Sequence, residues 1–333
     1  MKVVFKFLKW ILITIATILL LAVMIGLGFR LFSAPSQPPG EMVDVGGFEM
    51  FVSAKGEKND KPTLIIESGA GAPSEYYHWL GEGLKDSLRV VRYDRAGIGY
   101  SERSNNASRH PRTIAKELHF LLEKSGESPP YILAGHSYGG HFIRVFKEMY
   151  PDEVVGLVFL DSPHPDESQR LNMPKSPKWL DAMYVIGGYA GDLGVLNLMK
   201  YFLGRPLLWA PGLPDEVNDS FNDFTKNGEY LWGYIEEDKW YSELRDLSRK
   251  AMVNDTIPVR VFSGTRVNET IALKMGLDPK FIKSERATMQ KEMSSLSSNG
   301  KTIFLDGGHI TIFSEKENAD LICAEILDFV KGI

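Results

Sequence analysis

The strongest signal in the chain is the stretch Tyr131-Ile132-Leu133-Ala134-Gly135-His136-Ser137-Tyr138-Gly139. Its first four residues are apolar, as in a buried strand, and a helical pattern of apolar residues follows it. The glycines beside Ser137 fit a sharp strand-to-helix turn, which leaves no room for larger side chains. The pattern Gly-x-Ser-x-Gly is weak alone, but a strand before it and a helix after it are the context that it requires. Ser137 is therefore predicted to be a nucleophile on a tight turn.

The same alternation of strand and helix patterns extends to both sides of this stretch. Predicted strands are residues 48–53, 63–67, 89–93, 131–134, 157–160, 259–262 and 302–305, and predicted helices are residues 74–85, 113–125, 139–150 and 315–331. Short apolar strands that alternate with longer helices are typical of βα units around a mostly parallel sheet. The predicted fold class is therefore α/β, with the sheet flanked by helices.

The alternation breaks once, between residues 162 and 256. This segment has proline-punctuated helical pieces and contains Trp179, Trp209, Trp232 and Trp240. We interpret residues 162–256 as a helical lid inserted into a core of residues 41–161 and 257–333. Large aromatic faces can cover a bound acyl chain and exclude water, so Trp232 and Trp240 are predicted to bind substrate. Core packing is the alternative role for some of these tryptophans.

A serine hydroxyl is a poor nucleophile until a base removes its proton, so Ser137 needs a histidine. Seven histidines are present, and His309 follows the last predicted strand, in Leu305-Asp306-Gly307-Gly308-His309. A loop at the carboxyl edge of the sheet would bring His309 over the nucleophile. His136 should point away from the serine. His141, one helical turn after Ser137, is a candidate for the substrate pocket, although packing is the favoured alternative.

Attack on a carbonyl creates an oxyanion, which two backbone N–H donors must stabilise. One candidate donor is the Tyr138 amide, directly after the nucleophile. The other is Ala70, because Ser68-Gly69-Ala70-Gly71 follows a predicted strand with residues small enough to let a backbone amide approach substrate.

Four motifs together resemble the α/β-hydrolase superfamily. They are Ser68-Gly69-Ala70, Tyr93-Asp94-Arg95-Ala96-Gly97-Ile98-Gly99-Tyr100-Ser101, the turn at residues 135–139, and Gly308-His309. The resemblance covers about residues 43–333 apart from the inserted segment. It implies the α/β-hydrolase fold, an acyl-serine mechanism, and a role for Asp94 and Arg95 in stabilising the loop after their strand.

The sequence departs from the superfamily pattern at two positions. Ser68 stands where most relatives carry histidine, which leaves the backbone donor of that loop intact. Relatives usually place the triad carboxylate after the penultimate strand, where Val267 occupies the expected position in this chain. Asp161, at the end of a buried strand, is the favoured acid because its backbone is held in place. Glu269 is the alternative acid.

The amino-terminal region differs from globular composition. Residues 10–29 contain no charge, and at about 1.5 Å per residue such a helix crosses a bilayer core of about 30 Å. We expect a basic leader at residues 1–9, a transmembrane anchor at 10–32 and a linker at 33–40. A cleaved signal peptide is the competing interpretation, but its apolar run is usually roughly 7–15 residues. Lys2, Lys6 and Lys9 before the span predict a cytoplasmic amino terminus and an extracytoplasmic catalytic domain.

Composition argues against two other classes of function. The formal charge of −5 is spread along the chain without the basic clusters that a nucleic-acid binder needs. Cys323 is the single cysteine, and no His-x-x-x-His pattern occurs, so neither a metal nor another cofactor is expected. The expected partners are a small acyl substrate and, through the anchor, a membrane.

These observations predict a serine hydrolase that cleaves a carboxylic ester or related acyl bond, with an apolar substrate favoured by the aromatic lid. A proline-releasing aminopeptidase or amidase is the first alternative, because Glu236-Glu237-Asp238 would suit a free amine; a solvated charged turn is the simpler explanation of that run. A non-catalytic binding module is the second, since widespread folds host many functions. The intact serine, histidine and tight turn argue against the second alternative.

Overall fold

A mixed sheet of eight strands organises the catalytic part of the chain. The computed structural model describes residues 2–32, 37–105, 108–174, 176–224, 227–251 and 256–333. The strands are β1 (Glu41–Asp44), β2 (Glu49–Lys55), β3 (Thr63–Glu67), β4 (Val90–Tyr93), β5 (Tyr131–His136), β6 (Val154–Leu160), β7 (Val259–Gly264) and β8 (Gly300–Leu305). They lie in the order β1-β2-β4-β3-β5-β6-β7-β8. The pairs β1–β2 and β2–β4 are antiparallel, and the other neighbouring pairs are parallel. The predicted fold class is confirmed.

The strands in the middle of the sheet agree best with the sequence predictions. The strand predicted at residues 63–67 coincides with β3, and β5 and β6 extend two and three residues beyond their predicted ranges. Every residue of β3 and β5 is buried, which is why their apolar runs are easy to recognise. β1 has no counterpart among the predicted strands, because it is a four-residue edge strand with charged ends.

Helices cover both faces of the sheet and enclose an apolar core on each. One face packs against a short 3₁₀ helix (Ser74–Tyr77), α2 (His78–Leu84), α13 (Thr311–Ser314) and α14 (Lys316–Val330). The other face packs against α3 (Pro111–Lys124), α4 (Tyr138–Met149) and part of α12 (Pro279–Ser294). Side chains alternate between the faces along a strand, so Leu64 and Ile66 contribute to the first core and Ile65 to the second. α11 (Glu269–Lys274) and α12 have no predicted counterparts.

A helical insertion, residues 162–256, joins β6 to β7 at the carboxyl edge of the sheet. Its helices are α5 (Glu167–Arg170), α6 (Lys178–Asp192), α7 (Leu196–Leu203), α8 (Asp215–Phe224), α9 (Glu229–Asp238) and α10 (Tyr241–Lys250). α9 lies directly on the core: a Cβ atom on Gly233 would lie 2.4 Å from the carbonyl oxygen of Gly97. The insertion therefore covers the edge at which the parallel strands end.

The amino-terminal helix α1 (Lys2–Phe32) has 31 residues, of which Gly26 is buried. Within the described part of the chain it is the one helix long and apolar enough to cross a membrane. Of the predicted linker at 33–40, residues 33–36 lie outside the described residues.

Candidate active site

Ser137 lies in the turn between β5 and α4, with backbone angles φ of 52° and ψ of −123°. A positive φ is strained for a residue with a side chain, so close packing must enforce it. A Cβ atom on Gly135 would lie 2.5 Å from the carbonyl carbon of Gly139, and one on Gly139 would lie 2.4 Å from the carbonyl oxygen of Glu67. Only glycine fits at these two positions. The flanking glycines thus allow the strand to enter the helix abruptly, with the half-buried Ser137 at the apex.

His309 and Asp161 meet beside this turn. His309 follows β8, Asp161 follows β6, and His309 Nδ1 lies 2.7 Å from Asp161 Oδ2. The Asp161 side chain is buried, whereas nearly half of the His309 side chain is exposed. Within the described residues the Ser137 hydroxyl makes no hydrogen bond, and catalytic contacts of this kind often close only when substrate binds.

The Asp161 carboxylate is held from three directions. Besides His309, it accepts the Gly264 amide at 2.9 Å on Oδ1 and Arg286 Nη2 at 3.0 Å on Oδ2. Burial alone would raise the pKa of Asp161, but the charge of Arg286 and the hydrogen bonds from His309 and Gly264 hold that pKa well below its usual range. Asp161 is therefore ionised under all ordinary conditions.

Glu269, the alternative acid, is the exposed first residue of α11. Within the described chain its side chain makes neither a hydrogen bond nor an ion pair. The structure thus brings Asp161, and not Glu269, to His309.

Two backbone amides face the turn without partners. The Ala70 amide, in the loop after β3, and the Tyr138 amide, at the start of α4, donate no hydrogen bond within the described part of the molecule. A Cβ atom on Gly69 would lie 3.2 Å from Ser137 Cβ, so this loop lies against the nucleophile. The assignment of Ala70 and Tyr138 as oxyanion donors stays a prediction.

A buried hydrogen-bond chain links the Gly69 loop to the backbone of His309. The Gly69 amide donates to the Tyr77 hydroxyl at 3.0 Å, the Tyr77 hydroxyl lies 2.9 Å from His136 Nδ1, and His136 Nε2 lies 3.0 Å from the His309 carbonyl oxygen. That carbonyl can only accept, so His136 Nε2 carries the proton and Nδ1 accepts from Tyr77. Burial lowers the pKa of His136 well below its usual value, so the ring is neutral.

The His136 ring packs between Tyr77 and Phe313, and the sequence reasoning did not predict this hydrogen-bond chain. A histidine at the buried end of a strand could have suggested this hydrogen-bond chain, because a buried imidazole must find hydrogen-bond partners.

A family model described as the alpha/beta hydrolase fold matches residues 62–189, which contain β3 to β6, the Ser137 turn and Asp161. The part of the chain that carries the Ser137 turn therefore matches the α/β-hydrolase fold, as the resemblance in the sequence implies.

The relatives of this chain are distant. An AB hydrolase superfamily protein of Gibberella zeae is 37% identical over 132 residues, 37% of this chain and 40% of that protein. A proline iminopeptidase of Lactobacillus helveticus is 30% identical over 123 residues, 35% of this chain and 40% of that protein. The chain thus spans less than half the length of either relative. The crystal structure of a thermophilic esterase from Thermogutta terrifontis has a TM-score of 0.61 at 18% identity, over 87% of this chain and 98% of that one, a likeness that shows the fold alone.

Arg95 connects the hydrolase core to the helical insertion. Its guanidinium donates to the Ser68 and Gly69 carbonyl oxygens at 2.7 and 2.8 Å, to Glu67 at 2.6 Å, and to both carboxylate oxygens of Glu237 on α9 at 2.8 Å. The side chains of Arg95 and Glu237 are each 1% exposed. Arg95 thus stabilises the loop after β3, rather than only the loop after its own strand.

Tyr234 on α9 lies against the loop after β3. A Cβ atom on Gly71 would lie 3.3 Å from Tyr234 Cβ, and the Tyr138 hydroxyl donates to Asp238 at 3.2 Å. The sequence reasoning did not single out Tyr234, because an aromatic residue in a helical pattern is usually part of the core.

The three residues predicted to bind substrate make contacts with other parts of the protein in this structure. Trp232 donates its indole N–H to Asp192 at 2.9 Å. Trp240 packs on His110 and lines a cavity of about 410 Å³ whose lining does not include Ser137 or His309. His141 is 1% exposed and its Nδ1 lies 2.8 Å from Ser248 Oγ. His141 therefore packs between α4 and α10, and the structure does not support a place for it in the substrate pocket.

Proposed function

We propose that this chain is a serine hydrolase that cleaves a carboxylic ester or related acyl bond through an acyl-serine intermediate. The observation that carries the proposal is the 2.7 Å contact of Asp161 with His309 beside a serine on a strained turn. The unpartnered amides of Ala70 and Tyr138 support it, because acyl transfer needs a base and an oxyanion site at one nucleophile.

The mechanism follows from the hydrogen bonds of the imidazole. The Nδ1–H of His309 donates to Asp161, which leaves Nε2 free to take the proton of Ser137. Ser137 Oγ then attacks the acyl carbon, and the carbonyl electrons move onto the oxygen, which the Ala70 and Tyr138 amides stabilise. The oxyanion collapses, the bond to the alcohol breaks, and the alcohol leaves with the proton from His309. Water attacks the acyl-serine by the same sequence of steps and releases the acid.

A fluorophosphonate probe tests the proposal, because it labels only an activated serine. The full chain should be labelled and should hydrolyse an activated acetate ester, and Ser137→Ala should lose both activities. Losses near 10⁶ in turnover are typical of such serines. Ser168→Ala, in α5, is the matched control and should behave as the unaltered chain. An unlabelled but folded full chain would favour the non-catalytic binding module, and a Ser137→Ala variant with more than about a tenth of the activity would exclude Ser137 as nucleophile.

Aminopeptidase activity is the second candidate, and Asp238 is the observation in its favour. Glu237 is paired with Arg95, and Glu236 is paired with Arg103. Of the three acidic residues 236–238, Asp238 is thus the one that forms no ion pair with an arginine of the described chain. Its carboxylate, beside the Tyr138 hydroxyl, suits the amine of a proline-type substrate, in line with the proline iminopeptidase relative. A panel of esters and prolyl amides separates the two activities. If Asp238→Asn loses prolyl-amide turnover and keeps ester turnover, the aminopeptidase is the better description.

We further propose that α1 anchors the enzyme in a membrane and that the insertion acts as a lid over an apolar substrate. The exposure of α1 over residues 2–21 and the place of Tyr234 over the loop after β3 support these two points. Intact mass of the membrane-extracted chain distinguishes an anchor from a cleaved signal peptide, since only the anchor keeps residues 1–34. Deletion of residues 1–34 should yield a soluble, active enzyme; an inactive one would mean that α1 takes part in substrate entry.

A further inference from the structure

The helical insertion carries a surface of large apolar side chains that are exposed in the described chain. On and just after α6 these are Trp179, Met183, Ile186 and Leu193, which are 62%, 57%, 66% and 41% exposed. At 3.6 residues per turn the four positions fall within an arc of about 80°. α7 adds Tyr201 and Phe202, which are 64% and 83% exposed. We call these six residues the apolar face.

The opposite side of α6 is packed inside the insertion. A Cβ atom on Gly188 would lie 2.6 Å from the Trp232 ring, and one on Gly191 would lie 2.6 Å from the Gly228 Cα atom. Asp192 accepts the indole N–H of Trp232. α6 is therefore held by α9 on this side, and the apolar face is not needed for packing of the domain.

The apolar face is continuous with the carboxyl-terminal part of α1. A Cβ atom on Gly26 would lie 2.6 Å from the Gly194 carbonyl carbon. Arg30 donates a hydrogen bond to the carbonyl oxygen of Asp192, and the Phe29 and Tyr201 ring centroids are 6.0 Å apart. The uncharged run of α1 ends at Phe29. When the uncharged run of α1 spans a bilayer, the contacts of Gly26, Phe29 and Arg30 with the insertion lie at the level of the lipid headgroups.

We infer that the apolar face is embedded in the surface of the lipid bilayer that α1 spans; this inference rests on the proposed anchoring by α1. Tryptophan and tyrosine are the residues enriched at membrane interfaces, and a helix with one apolar side lies in the interface plane. Continuity with α1 favours lipid over a second copy of the chain, because a covering copy would have to displace lipid around α1.

The position of the apolar face in the bilayer surface indicates the substrate class of the proposed hydrolase. α6 contacts lipid through its apolar face, and on its packed side the Tyr184 ring centroid lies 4.9 Å from that of Tyr234. Tyr234 in turn lies against the loop after β3. One layer of helices thus separates the bilayer from the loop beside the nucleophile, a position that favours an acyl ester dissolved in the bilayer as the substrate.

Nitroxide labelling of the full chain in phosphatidylcholine and phosphatidylglycerol nanodiscs tests the inference. Cys323 is the single cysteine and is buried, so a Cys323→Ser background accepts labels at Trp179→Cys, Ile186→Cys and Phe202→Cys. Leu321→Cys, 57% exposed on α14, is the matched aqueous control, and Leu19→Cys in α1 is the control for anchoring. Collision rates with molecular oxygen and with a water-soluble nickel chelate report the surroundings of each label.

Labels on the apolar face should give an oxygen-to-nickel collision ratio several-fold above that of Leu321→Cys. Ratios equal to this control would place the face in water, and low rates with both reagents would place it against protein, such as a second copy; either result overturns the inference. If the Leu19→Cys label is itself aqueous, the proposed anchoring fails. A lipid-exposed Leu19→Cys label with aqueous labels at 179, 186 and 202 refutes only the embedding of the apolar face.

Discussion

Replacing Asp161 with asparagine keeps the shape of the side chain but removes its charge and one of its two acceptors. In the native site Oδ1 accepts from Gly264, and Oδ2 accepts from both His309 and Arg286. If the amide oxygen faces Gly264, the NH₂ group faces His309 Nδ1, and the imidazole proton moves to the nitrogen that must accept from Ser137. If the oxygen faces His309, the NH₂ group opposes the Gly264 amide, and an unsatisfied buried donor costs about 1–3 kcal/mol.

Either orientation removes the negative charge that stabilises the imidazolium. A wrong tautomer lowers turnover by a factor on the order of 10⁴, which is about 5 kcal/mol at about 1.36 kcal/mol per tenfold change. Steady-state hydrolysis of an activated ester by Asp161→Asn, with the fold checked by circular dichroism, should show a fall of this size. Glu269→Gln is the matched control and should stay within about twofold of the unaltered enzyme, as is usual for surface changes. A near-normal Asp161→Asn enzyme beside a crippled Glu269→Gln enzyme would refute the assignment.

Two further changes test buried ionisable groups. Glu237→Ala removes one of the two buried carboxylates that pair with Arg95, the other being Glu67, and should lower the free energy of unfolding by about 3 kcal/mol, the low end for a broken buried pair. Glu236→Ala breaks an exposed pair and should cost about 0–1 kcal/mol; equal losses in denaturant titrations would contradict the buried bridge. Burial lowers the pKa of His141 to about 3, so below about pH 6.5 the unfolded chain takes up a proton that the folded chain does not. On acidification to pH 5, His141 should therefore lower the free energy of unfolding by about 2 kcal/mol. His141→Gln should remove this part of the pH dependence of stability.

The parts of the fold that could be predicted are those specified by a pattern of neighbouring residues in the sequence. β3 and β5 are buried along their whole length, so their apolar runs stand out, and the glycines beside Ser137 are required by the turn itself. The polar, short β1 carries no such pattern. The choice between Asp161 and Glu269 could not be made locally, because it depends on which loop end reaches His309 in three dimensions.

Long-range pairings explain most of what the sequence reasoning missed. Arg95 and Glu237 are 142 residues apart in the chain, and no spacing rule links them. The tryptophans of the insertion were expected near substrate because of their size. Trp232 is instead turned toward Asp192 by an indole hydrogen bond, and such an orientation is set by how α6 and α9 pack together.

The Arg95 guanidinium has a consequence for how a chain of this fold can diversify. It binds Glu67 and two carbonyl oxygens of the loop after β3 and, on its other side, a carboxylate of α9. An insertion exchanged for one from another hydrolase would remove that carboxylate and leave the buried Nε–H of Arg95 without its acceptor. The insertion is therefore not an independent module: a functional chimera would need an acidic residue at the position of Glu237, or a neutral replacement for Arg95 introduced together with it.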